Sequence, residues 1–152
     1  MKNIIKIILI LITLQACSES NTDPTPITTI GNIQNNAEYI GGAPPPDSLL
    51  IQLATYKPSA NQTFYVRKGT NNIPNTPLTT TFTTTATGTY TITLPPGTYS
   101  VISQNKYDFE YDAIGVCEWL KQPDFVLNIN QAETTQNKQY TISRNTCIEP
   151  AP

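Results

Sequence analysis

Residues 78–103, LTTTFTTTATGTYTITLPPGTYSVIS, constrain the fold more than any other stretch, because apolar and polar side chains alternate along them with a period of two. That period belongs to a strand with one face buried and one wet. Tyr90, Ile92 and Leu94 project to one side and Thr89, Thr91 and Thr93 to the other, and Tyr99 and Val101 repeat the inward set after Pro95-Pro96-Gly97. Proline presets φ for the first central position of a type II turn and glycine accepts the positive φ of the second. The two runs therefore read as arms of one hairpin, with their tyrosines in the core.

The same period, with Thr, Val, Ile, Tyr and Phe enriched, predicts strands at 49–56, 63–68, 78–84, 89–94, 98–103, 125–130 and 139–143, with less regular pieces near 107–111 and 116–120. Turn signals separate them at Lys57-Pro58-Ser59, Gly69-Thr70-Asn71-Asn72 and 133–137. No stretch of this region carries a 3.6-residue apolar period. Short strands at this spacing argue an all-β sandwich. Asn61-Gln62-Thr63 reads as ordinary strand-edge sequence.

The amino terminus has a different character. MKNIIKIILILITLQAC places Lys2 and Lys6 ahead of an apolar run too short to span a bilayer, which takes about 20 residues. It is the pattern of an export signal, and Leu14-Gln15-Ala16-Cys17 resembles a bacterial lipobox. The expected organisation is a signal peptide over 1–16, a Ser/Asn/Thr/Pro-rich flexible tether over 17–47, a sandwich domain over 48–148 and a short tail over 149–152. Cys17 would carry the lipid and hold the chain on the bacterial envelope, in the outer membrane, with the domain periplasmic or surface-exposed. Ser18-Glu19-Ser20 reads either as a short acidic export signal of the Bacteroidota type or as plain linker. Asp47-Ser48-Leu49 fits an O-glycosylation pattern, with Ser48 as the acceptor.

Without Lys2 and Lys6 the mature chain has 7 basic and 11 acidic residues, a net charge of −4. A chain so poor in Lys and Arg lacks the electrostatic footprint of a nucleic-acid partner. Enzymatic readings lack parts as well. The chain has no His, and no nucleophile–base pair, oxyanion loop or phosphate-binding glycine turn can be found. The expectation is a protein that is not an enzyme and holds no cofactor and no metal.

TTTATGTYTITLPPGTYSVIS resembles the signature of carboxypeptidase-regulatory-like and transthyretin-like (prealbumin-like) domains. PSANQTFYVRKG is similar to the strand such domains place before it, and FVLNINQAETTQNKQYTIS to their closing pair. The resemblance covers about residues 49–147 with one interruption and implies a single antiparallel sandwich of about seven strands. It implies little about activity. Relatives that hydrolyse 5-hydroxyisourate need histidines and a Tyr-Arg-Gly-Ser end, and this chain has neither. The usual Asp before Gly88 is replaced by Thr85-Ala86-Thr87, so no ion site is carried over.

The interruption, NKYDFEYDAIGVCEWLKQPD at 105–124, concentrates acids, aromatics and the sole Trp. If extended, it sets Tyr107, Phe109 and Tyr111 on one face and Asp108, Glu110 and Asp112 on the other. Those six, with Glu118 and Trp119, are the candidate ligand-binding residues. The alternative is that the rings pack on the sandwich and the acids face water. With Cys17 lipidated, Cys117 and Cys147 remain as a pair in an oxidising compartment and read as a disulfide.

Two classes of function stay open. One is a structural or protein-interaction lipoprotein docking onto an envelope partner, with a pilus-accessory role as a variant. The other is a glycan-binding module using the 105–124 insertion.

Overall fold

The computed structural model describes residues 23–112 and 117–147, so the signal peptide and Cys17 lie outside the described residues, as do Val116 and the 149–152 tail. The chain runs β1 (Ile27–Ala37), α1 (Asp47–Ala54), β2 (Lys57–Pro58), β3 (Thr63–Lys68), β4 (Thr80–Thr83), β5 (Thr89–Leu94), β6 (Gly97–Ser103), α2 (Gln104–Asp112), α3 (Glu118–Lys121), β7 (Phe125–Ile129) and β8 (Lys138–Ile142). It is mostly β, in two antiparallel-rich sheets. In one sheet β1 is central, antiparallel to β5 and β2 and parallel to β8; the other runs β4-β3-β6-β7.

The core between the sheets is built from the alternation. Tyr90, Ile92 and Leu94 of β5 are buried with Ile33, Phe64, Val66, Val101 and Leu127, while Thr89, Thr91 and Thr93 are exposed. Phe64 sits at its centre, its ring 5.4 Å from Phe82, 5.5 Å from Phe125 and 5.9 Å from Tyr140.

The hairpin expectation is corrected. β5 pairs with β1, whereas β6 pairs with β3 and β7, so Pro95-Pro96 carries the chain from one sheet to the other. Both tyrosines do face inward, and Tyr99 donates its hydroxyl to the Pro95 carbonyl across the crossover at 2.8 Å. Alternation fixes which face is buried, but it does not choose the partner strand.

The tether expectation is corrected as well. β1 lies within residues 17–47 and is the central strand of its sheet. Among its inward positions Ile33 is the large residue fully buried and Ile27 packs at the edge of the core; the two between them are Thr29 and Gly31, so little apolar side chain marks the strand in the sequence. At Gly31 the Gln136 carbonyl and the Tyr90 ring come so close that a Cβ would collide with both. Gln136 then ties the layers together. Its N–H donates to the Ile30 carbonyl, its own carbonyl accepts the Tyr90 hydroxyl, and its side-chain amide exchanges two bonds with the Asn128 backbone on the open edge of β7. A satisfied edge resists pairing with another chain.

Three further segments expected as strands are helical. Residues 47–54, DSLLIQLA, carry three consecutive apolar residues instead of alternation, and straight-chain Leu and Gln suit a helix. Ser48 lies exposed in the first turn of that helix, α1. The piece near 107–111 falls in α2, which packs on β3 and β6 of the second sheet, and residues 118–120 of the piece near 116–120 fall in α3. That cover explains why β6 buries four consecutive residues, Tyr99 to Ile102, since both of its faces are packed.

Burial of phenols gives the fold an alkaline limit. Desolvation pushes the Tyr90 hydroxyl from 10.0 up to about 12, and burial raises Tyr99 and Tyr140 in the same direction. The native state holds protons that the unfolded chain releases near 10, so this stabilisation is complete below pH 10 and is lost as pH rises towards 12. The urea midpoint should be level from about pH 7 to 9 and then fall, with up to about 2 kcal/mol from Tyr90 after solvent screening. Tyr90→Phe should show a shallower fall over the same range.

Candidate functional site

The described part of the 105–124 insertion is α2, α3 and a short link to β7, and the helices redistribute the residues singled out there. Four-residue spacing puts Tyr107 with Tyr111 and Lys106 with Glu110, so the extended arrangement with aromatics on one face and acids on the other is corrected. Tyr107 stacks on Tyr65 of β3 with centroids 3.7 Å apart and planes within 6°. Tyr111 remains 61% exposed and donates its hydroxyl to that of Tyr107 at 3.0 Å. Asp108 faces water and accepts from the Gln104 amide. Asp112 ends α2, and its side chain lies outside the described residues. Glu118 is exposed and pairs with Lys121 at 2.5 Å.

Glu110 departs furthest from expectation. It is 3% exposed, against Arg67 at 3% and Asn72 at 1%. The Arg67 guanidinium makes a bidentate pair with it, at 2.7 and 2.8 Å, and also donates to the Thr76 carbonyl and to Asn72 Oδ1. Asn72 Nδ2 donates to both Glu110 Oε1 and the Leu120 carbonyl, and the Asn75 N–H donates to Glu110 Oε2. Every charge is matched and every lone pair near it used. The network joins β3, the 69–79 loop, α2 and α3, and it is closed to a ligand.

Phe109 and Trp119 belong to a different place. They line a cleft of about 530 Å³ between α2, α3, the Asn61-Gln62-Thr63 segment and the chain that follows β8. Trp119 is fixed from three sides. The Phe109 ring meets it edge-on at 5.7 Å and 84°, its indole N–H donates to Ser143 Oγ at 3.2 Å, and Lys106 Nζ lies 5.2 Å from its centroid. Lys106 is itself paired with Asp124 at 3.0 Å and donates to the Gln122 carbonyl, while Asp124 accepts the Ser103 N–H. Both members are nearly buried, so the wall contains one neutralised ion pair. On the opposite side Tyr140 donates to Gln62 Oε1 at 2.9 Å and accepts from Asn35.

Behind the cleft, Cys117 and Cys147 form the expected disulfide, with Cα atoms 5.6 Å apart. The bond joins the start of α3 to the segment after β8, the two elements that carry Trp119 and Ser143.

Of the eight candidates, then, the structure brings Phe109 and Trp119 to one cleft, buries Glu110 in a structural network, stacks Tyr107 on Tyr65 and leaves Asp108, Tyr111 and Glu118 exposed. Lys106, Asp124, Asn61, Gln62 and Ser143 were not singled out in the sequence as site residues. Lys106, four residues before Glu110 in an otherwise acidic stretch, was the one available signal. Fold and site together define a mostly β protein of two packed sheets with a helical cover and a polar, aromatic cleft. No protein-family model matches the chain, and no curated protein matches it either.

Proposed function

We propose that the chain is a non-catalytic lipoprotein of the bacterial envelope, exported by residues 1–16, anchored through Cys17 in the outer membrane, and acting as a protein-interaction module built on a transthyretin-like sandwich. The observation that carries the interaction reading is α1. None of its eight residues is buried, and Leu50 and Ile51 are 43% and 69% exposed. Ile40 and Tyr56, in the segments flanking it, are exposed too. An isolated helix this short is marginal in water, and apolar surface left uncovered on a folded chain marks a docking site.

Placement favours a protein as the occupant. Nine residues separate Cys17 from Ile27, a reach of at most about 30 Å. β1 then carries the chain about 35 Å from its tethered end to the end beside α1. The apolar helix thus lies at the end of β1 away from the anchor.

A photocrosslinking residue at Ile51, in the full chain in its native cells, should give one dominant adduct with an envelope protein. The same residue at Thr91, exposed on β5, should not. Equal labelling from both positions overturns the docking reading. Loss of fatty-acid labelling in Cys17→Ser checks the anchor separately.

A further inference from the structure

The cleft beside Trp119 has no part in docking through α1, and its chemistry is of another kind. We infer that it binds a neutral carbohydrate, one or two sugar units of an oligosaccharide, with Trp119 and Phe109 as the apolar wall and the amides of Asn61, Gln62 and Asn105 as the groups that read hydroxyls.

Size, charge and donor set point the same way. A volume of about 530 Å³ falls in the range of roughly 300–1,000 Å³ found for small-molecule sites. Lys106 and Asp124, the charged side chains of its lining, are spent on each other at 3.0 Å and on the Gln122 carbonyl and Ser103 N–H, so an ionic ligand would find no counter-charge without breaking a nearly buried pair. What remains to make hydrogen bonds is mainly amide, with the Ser103 hydroxyl beside it. Gln62 uses its oxygen on Tyr140, leaving Nε2 as a donor, and among the described residues the Asn61 and Asn105 side chains have no protein partner. A primary amide offers a donor and an acceptor side by side, which matches a pair of vicinal hydroxyls. Sugars also carry an apolar C–H face, and the indole is held rigidly enough by Phe109, Lys106 and Ser143 to receive it without ordering cost.

Trp119 is the chain's one tryptophan, so its emission reports this cleft alone. The experiment titrates the mature chain with gluco-, manno-, xylo- and galacto-configured neutral hexasaccharides and with an acidic one, polygalacturonate hexamer. A saturable change in Trp119 emission is expected with at least one neutral sugar, unchanged between about 50 and 500 mM salt. Asn105→Ala, an exposed substitution that leaves the fold intact, should weaken it about tenfold, and Asn61→Ala similarly. Trp119→Ala should abolish binding measured by calorimetry. The inference is overturned if no neutral sugar alters the emission, if only the acidic sugar binds, or if Asn105→Ala and Asn61→Ala bind as tightly as the parent. None of these outcomes alters the crosslinking expected at Ile51, so the two readings fail separately.

Discussion

Glu110→Ala is expected to lower stability by about 3–5 kcal/mol, the largest effect of any single substitution considered for this chain, because it leaves the Arg67 guanidinium buried without its counter-ion. The loss does not stop at the pair. Asn72 Nδ2 and the Asn75 N–H lose an acceptor at the same time, and both lie in the loop that closes over β3. For a domain of this size each kcal/mol corresponds to about 3–6 °C, so the melting temperature should fall by about 10–30 °C. The double variant Arg67→Met, Glu110→Leu should recover most of it, since no charge is then left buried. Thermal unfolding of the parent, single and double variants checks this. A single variant within about 1 kcal/mol of the parent would show that the pair is solvated in solution.

The importance of Glu110 could not be read from the sequence, and the reason is physical. In a one-dimensional pattern an acid flanked by aromatics reads as the wet side of a strand. Its partners are 43 residues away at Arg67 and 38 at Asn72, and only the packing of α2 on the outer face of β3 brings them together. Lys106 and Asp124 illustrate the same limit. By contrast the strands 63–68 and 89–94 agree with the sequence reading to the residue, because the inward side chains alternate in both; in 89–94 the other face is exposed, whereas in 63–68 Tyr65 and Arg67 are packed under α2. β1 was hidden for the opposite reason. Much of its inward face is Thr and Gly, and its burial comes from what the neighbouring strands lay against it. The crossover at Pro95-Pro96 shows a third kind of silence: both sheets accept an alternating strand, so the choice between hairpin and sheet change depends on which edges are already taken.

α1 and the cleft differ in how they connect to this scaffold. α1 touches the sandwich mainly along β1, with the Asn36 amide donating to the Ala54 carbonyl, so changes to its outer face should leave the core undisturbed. The cleft is assembled from four separated segments and inherits its shape from their mutual positions. Asn72 Nδ2 reaches the Leu120 carbonyl one residue beyond Trp119, so the Arg67–Glu110 network holds the Trp119 wall from the inside. The disulfide holds it from the outside.

Replacing both cysteines with serine is therefore expected to act twice. Closing a loop with a sequence separation of 30 stabilises by about 3–4 kcal/mol on the chain-entropy estimate, so the double variant should lose close to that amount in urea unfolding. Its second effect is local. Cys117 lies two residues before Trp119 and Cys147 four after Ser143, so without the bond the indole keeps only its single hydrogen bond between the two rims. Trp119 emission should shift to the red and become more accessible to acrylamide under conditions where near-ultraviolet signals from Phe64, Tyr90 and Tyr140 in the main core are unchanged. Reductant should reproduce the change in the parent chain and have no effect on the serine variant. If the serine variant matched the parent in both urea midpoint and quenching, the bond would contribute nothing to the cleft, and α3 would owe its position to the Asn72 bonds to Leu120 and Lys121 and to the packing of Trp119. The Glu110→Ala variant separates the two supports. It should loosen α3 through Leu120 with the disulfide intact, so red-shifted emission in both variants, and a larger shift when they are combined, would place the Trp119 wall under joint control of the buried ion pair and the bond.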